Sequence, residues 1–210
     1  MSLKEALNWR SATKSYNGKS IEKEKIEQIM EAIRLAPSSS GLQPFRVFVI
    51  TNKELREQLQ PISCQQQQIV QASHILVFAA WDEYTAERVD SFFEFSNQER
   101  NLPSSATDDY RLNLLGMLDK KNKDQHFVNA SLQTYIALGF GLLAAADLKI
   151  DATPLEGFDS QAVDALLKLQ EQGLKSTVMM ALGYKDEDKD WWGKLKKIRR
   201  SNEELFVELH

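Results

Sequence analysis

Arg10 and Lys14 stand four residues apart in the run Arg10-Ser11-Ala12-Thr13-Lys14-Ser15-Tyr16. Two cations with hydroxyls between them suit an anion. An arginine fork grips phosphate oxygens in pairs, and a lysine adds a point charge elsewhere on the same ligand. The bland alternative is a helix that ends here, since cations are favoured at a helix C-terminus. A second basic run, Lys194-Leu195-Lys196-Lys197-Ile198-Arg199-Arg200, carries five cations in seven residues. Alone it reads as a solvated basic face or a nucleic-acid patch.

Two loop signatures lie between these runs. Ala36-Pro37-Ser38-Ser39-Ser40-Gly41-Leu42-Gln43-Pro44-Phe45 offers amides and hydroxyls that could bond the polar edge of a ring. It is equally an ordinary turn. Pro154-Leu155-Glu156-Gly157-Phe158 has a glycine that lets backbone approach something flat, with an amide free to face a ring nitrogen. Here the alternative is a loop joining two helices.

Other chemistries are absent. The chain has no G-x-G-x-x-G, Walker A, H-E-x-x-H or C-x-x-C motif. His74, His126 and His210 lack metal-ligand spacing; His74 reads as structural and His210 as a solvated end. Cys64 shows no sign of an activated thiolate. As the single cysteine it forms no intrachain disulfide, which suits a reducing compartment. The 210 residues are 42% hydrophobic and 27% charged, which predicts one globular domain over 1–210. A net charge of −4 argues against a general nucleic-acid partner. The first residues lack a signal-peptide core, and the apolar stretch 135–146 is short of the roughly 20 residues a bilayer needs. A cytoplasmic protein without membrane or nucleic-acid contacts is expected.

These residues need a frame. Ser2 and Glu5 have capping-box spacing for a first helix. Residues 22–36 repeat apolar side chains at Ile26, Ile29, Met30 and Ile33, a helical period that Pro37 stops. Strands are predicted at Phe45–Ile50, at 75–81 and, more weakly because of Met179 and Met180, at 177–184. Residues 85–121 read as irregular helix broken at Pro103, and 126–147 as a helix apolar on nearly every side, hence buried. A further helix is expected over 159–172, ended by Gly173, and a strand or arm over 205–209. Helices dominate and strands are few, so the class is α+β or α/β.

The clusters carry more in order than singly. Arg10-x-x-Thr13-Lys14, Pro37-Ser38-Ser39-x-x-x-Gln43-Pro44, Ala72-Ser73-His74, Pro154-x-Glu156-Gly157-Phe158 and Lys197-x-Arg199 together resemble the nitroreductase family over nearly the whole chain. The resemblance implies an α+β homodimer whose central, mostly antiparallel sheet is flanked by helices and whose C-terminal segment is exchanged across the dimer. It implies FMN as cofactor and NAD(P)H as co-substrate. Two electrons would pass to nitroaromatic, quinone or similar electron-poor acceptors by a ping-pong mechanism, with the chemistry on the flavin and no catalytic side chain.

By the same resemblance, Arg10, Lys197 and Arg199 would hold the FMN phosphate, and Lys14 would lie by the pyrimidine end of the ring. Pro37, Ser38 and Ser39, with Gln43 from the same motif, would line the cofactor from the partner chain. Gln133 would bond the flavin or its ribityl, while Pro154, Glu156 and Gly157 would cover one ring face. The chain departs from the family at Ala12, where a serine is common and Ser11 could substitute. Gly41 replaces a common asparagine. Gln65 and Gln68 stand where an asparagine and a lysine are often found beside the flavin.

Overall fold

The computed structural model describes residues 2–209; His210 lies outside them. Along the chain run α1 (Leu3–Trp9), α2 (Lys23–Arg34), β1 (Phe45–Ile50), α3 (Lys53–Leu59), α4 (Gln68–Gln71) and β2 (His74–Trp81). Then follow α5 (Ala86–Glu99), α6 (Asp108–Leu118), α7 (Lys123–Asp147), β3 (Asp151–Leu155), α8 (Ser160–Leu166), β4 (Leu174–Gly183) and α9 (Asn202–Leu205). The strands form one sheet in the order β1-β2-β4-β3, antiparallel at every pair. This is the α+β arrangement expected.

The sheet is covered on both faces. Leu76, Phe78, Val178 and Met180 pack under α2 and α7 with Ile29, Ile33 and Ala137. Ile75, Val77, Met179 and Ala181 point the other way, onto Tyr16, Leu59, Ile69 and Val163. Successive strand residues alternate faces. A strand covered on both sides therefore shows an unbroken apolar run rather than alternation. The two methionines that weaken the 177–184 reading are buried, one on each face. Gly141 brings α7 close to α2 and β4. A Cβ there would lie 2.9 Å from Ile33 Cγ1 and 3.1 Å from Met180 Cε.

Several predicted boundaries shift. The Ser2–Glu5 capping box forms as expected. The 159–172 segment is helical only over Ser160–Leu166. Lys168 then takes a positive φ that no α-helix sustains, and the chain turns through a short 3-10 segment to left-handed Gly173. The 85–121 region divides into α5, a 3-10 turn capped by Pro103, and α6. β3 lies where a loop between helices was one reading of the Pro154 motif. It pairs only with β4 at the sheet edge, where a proline without an N–H is tolerated. Residues 205–209 form no strand: α9 ends at Leu205 and the exposed remainder follows as an arm.

By length and composition α7 could cross a membrane. In this fold it packs instead on α2 and the sheet. One stripe stays uncovered: Val128, Leu132, Tyr135, Ile136 and Phe140 are each 40–56% exposed.

Candidate functional site

The loop after α1 is sewn to the β3 edge. Thr153 Oγ1 donates to the Thr13 carbonyl at 2.6 Å, and Thr13 Oγ1 donates to Asp151 Oδ1 at 3.3 Å. The Tyr16 hydroxyl reaches Ala181 O at 3.1 Å. These bonds tie Thr13 and Tyr16, on either side of Lys14, to the sheet although the segment is irregular. The chain beyond β4 returns to the same place. Lys197 Nζ donates to the carbonyls of Leu7 at 2.5 Å and Asn8 at 3.0 Å, at the C-terminal end of α1.

Arg10, Ser11, Ala12, Lys197 and Arg199 thereby line one groove of about 460 Å³. Burial, then the charge of Arg199, hold the Arg10 guanidinium below its ordinary pKa. Burial, then Arg10 and Arg199, do the same to Lys197. Like charges have been gathered against their own repulsion. Arg10 Nε is also buried without a hydrogen-bond partner among the described residues. A dianion in the groove would answer both, so a phosphate monoester fits the residues present.

A neighbouring groove of about 360 Å³ is lined by Lys14, Ser15, Gln67, Gln71, Asp190, Trp191 and Trp192. Gln71 Oε1 accepts from Tyr16 N–H at 3.2 Å. Gln65 is exposed at a left-handed φ of 55°, and Gln68 is buried at the start of α4. The glutamines beside Lys14 are thus Gln67 and Gln71, which the sequence reading did not single out.

The Glu156–Gly157 turn follows β3 and is held from two sides. The Tyr135 hydroxyl on α7 donates to Glu156 Oε1 at 2.8 Å, and Gln66 Nε2 donates to Gly157 O at 2.9 Å. Burial, then the Glu156 carboxylate, push the Tyr135 phenol up to about 12. The Gly157 N–H donates to nothing among the described residues. It is available to an acceptor on a flat ligand. Pro154 beside this turn is exposed.

The serine loop forms a separate cluster. Ser39 N–H donates to Gln133 Oε1 at 2.8 Å, while Gln133 Nε2 donates to Asn129 O at 2.9 Å. Gln43 N–H bonds Ser38 Oγ at 2.9 Å, and Gln43 Nε2 caps the Arg34 carbonyl at 2.7 Å. Gln133 and Gln43 therefore brace the loop within this chain. Pro37 and Ser39 are left exposed. One chain brings Arg10, Ser11, Lys197 and Arg199 together with Lys14 alongside, and holds Pro37, Ser38, Ser39, Gln43 and Gln133 elsewhere.

Asp190, Trp191, Trp192, Gln66, Gln71 and Tyr135 were missed. The run Asp190-Trp191-Trp192-Gly193 was the available signal, since two exposed tryptophans are uncommon ahead of a basic tail.

An α+β scaffold that carries a cationic groove and, after β3, a turn with a free amide has the parts a phosphorylated, planar ligand would use. The chain belongs to the nitroreductase family, which it matches over residues 7–184. It is 34% identical to a Staphylococcus saprophyticus protein provisionally named NAD(P)H nitroreductase, covering 96% of this chain and 94% of that one. It is 33% identical to YfkO of Bacillus subtilis, also provisionally named NAD(P)H nitroreductase, over 88% of this chain and 89% of the other. The fold superposes with a TM-score of 0.86 on a nitroreductase-like protein of Exiguobacterium sibiricum solved with FMN, at 17% identity over 100% of this chain and 98% of that chain.

Proposed function

We propose that the protein is an FMN-dependent NAD(P)H oxidoreductase that reduces nitroaromatics, quinones or similar electron-poor acceptors. The observation that carries this reading is the groove where Arg10, Lys197 and Arg199 converge with a buried, unpartnered Nε. The names of the relatives and the FMN in the Exiguobacterium protein support it.

Arg10, Lys197 and Arg199 would hold the phosphate, with Ser11 beside them. Lys14 would offset negative charge at the pyrimidine end of the ring. The Gly157 amide would donate to the ring, and Pro154 and Glu156 would wall one face. FMN when bound supplies reversible two-electron chemistry, so no side chain here need act as nucleophile, acid or base. Donor and acceptor taking one shared place in turn give ping-pong kinetics.

The working unit is a homodimer. A single chain leaves the serine loop apart from the cationic groove, and a second copy would bring its Pro37, Ser38 and Ser39 to the ligand. The exposed stripe of α7 and the uncovered tail, with Phe206 67% and Val207 83% exposed, are the surfaces such a partner would cover. The tail carries three consecutive apolar residues, Leu205-Phe206-Val207, between Glu204 and Glu208. The β1 edge offers unpaired backbone beside an apolar groove carrying Arg34 and Arg46. Exchange of the tail onto that edge satisfies both. The exposed, unpaired Cys64 suits a reducing cytoplasm.

Purified protein should be yellow, release FMN on heating at one per chain, and bleach with NAD(P)H under anaerobic conditions. Initial-rate plots with a quinone should give parallel lines. Recovery of FAD, or failure to take up offered FMN, would overturn the reading.

A further inference from the structure

We infer that Asp190 is the positioning residue that sets the two arms of the phosphate groove against each other. The inference rests on the FMN reading of that groove. One arm is the loop from Arg10 to Lys14; the other is the tail from Gly193 to Arg199. Among the described residues, backbone pairing joins them at their base alone. Asn17 N–H donates to Tyr184 O and Asp186 N–H to Ser15 O, both at 2.9 Å, and Tyr16 bridges to Lys185. Beyond Ser15 and Asp186 this ladder stops, short of Arg10, Lys197 and Arg199.

Asp190 takes over at that point. It is 2% exposed. Its Oδ1 accepts from Lys14 N–H and from Gly193 N–H, each at 3.4 Å. One carboxylate oxygen thus holds a backbone amide of each arm. Its own N–H donates to Asp186 O at 2.8 Å, which anchors it to the end of the ladder. Its Oδ2 is buried with no hydrogen-bond partner among the described residues. A buried unsatisfied oxygen is costly and uncommon. It is retained here at the junction of the two grooves.

Gly193 shows how tight the junction is. A Cβ there would lie 2.9 Å from Asp190 Oδ2 and 3.5 Å from Ser11 Oγ. The glycine lets the tail pass between the carboxylate and the Arg10 arm. Beyond it the tail reaches Lys197, whose ammonium docks on α1. Asp190 is not part of the phosphate groove lining itself; it acts through the placement of Arg10 against Lys197 and Arg199.

The test compares FMN with riboflavin, which lacks the phosphate, by fluorescence-quenching titration of the flavin-free full chain. Asp190→Ala should weaken FMN at least roughly tenfold, the scale of one charge-assisted hydrogen bond, and leave riboflavin within about twofold. Asp190→Asn keeps a carbonyl acceptor and should restore most of the FMN-to-riboflavin ratio. Gly193→Ala should lower that ratio by displacing the carboxylate, which provides the answer if Asp190→Ala does not fold. Equal weakening of both flavins would show a general structural role and overturn the inference. An unchanged ratio in both Asp190→Ala and Gly193→Ala, or an Asn variant as impaired as the Ala variant, would overturn it too. A parent protein that binds FMN no better than riboflavin would sink the phosphate reading itself. A parent with the preference and variants that keep it would sink the Asp190 role alone.

Discussion

Arg199 and Arg200 are neighbours of equal charge, and both are exposed, yet only Arg199 lines the groove with Arg10 and Lys197. Arg199→Ala should therefore weaken FMN by about 1.5–3 kcal/mol, roughly tenfold or more. Arg200→Ala should change it little. Equal losses in a binding titration would show that general positive charge, not a placed side chain, holds the ligand. Asp151 makes a second residue-scale case. Burial raises its pKa, against the Lys185 amide and charge and the Thr13 hydroxyl, which lower it. The native state then binds this proton more tightly than the unfolded chain, so the contribution to stability falls as pH rises above about 4. Asp151→Asn removes that dependence. Urea titrations should show the variant gaining on the parent as pH rises above about 4; a gain towards lower pH would mean that the carboxylate is stabilised as an anion.

Glycine shows how much an element's neighbours decide. On α7, Gly141 meets Ile33 and Met180 at distances that admit no methyl without movement. On α6, Gly116 has nothing within 4 Å. Alanine raises helix propensity by up to about 1 kcal/mol at either site. At Gly141 this is outweighed by overpacking of about 1–3 kcal/mol. Gly141→Ala should lower Tm by about 2–4 °C for each net kcal/mol of stability removed, and Gly116→Ala should leave it unchanged or higher. A stabilised Gly141→Ala protein in a calorimeter would mean that α2 and α7 have room to move apart at no cost. Edge position matters in the same way for β3: Pro154 would break a central strand but sits without penalty on one that pairs only with β4.

At the scale of the whole molecule, what a single chain leaves uncovered is apolar surface. Leu132 lies at the middle of the α7 stripe and is 56% exposed in one chain. A dimer would bury it. Leu132→Glu should then shift sedimentation from dimer to monomer and release FMN, because the serine loop of the second copy leaves with it. A variant that stays dimeric, or a monomer that keeps flavin in full, would reject the α7 face as the interface. The same stripe explains why α7 reads as fully buried in sequence and as half-covered in the fold: it has a core side and a side left for another surface.

Much of this was legible in the sequence wherever the deciding interaction is local. The Ser2–Glu5 capping box, the Ile26-Ile29-Ile33 face of α2 and left-handed Gly173 each depend on residues within a turn or two. The resemblance singled out Arg10, Lys197 and Arg199, whose charges and order are carried in the chain itself, and the fold brings them to one groove. What depended on distant partners was not legible. β3 exists because β4 offers it an edge. Gln133 faces Ser39 across 94 positions of sequence. Gln67 and Gln71 share a groove with Lys14 only because α4 is folded against the loop after α1. Asp190 gains its place only when the two ends of the chain meet. Residue types and short-range periodicity are properties of a string. Which of two nearby amides or carboxylates faces a site is set by packing, and packing exists only once the chain has closed on itself.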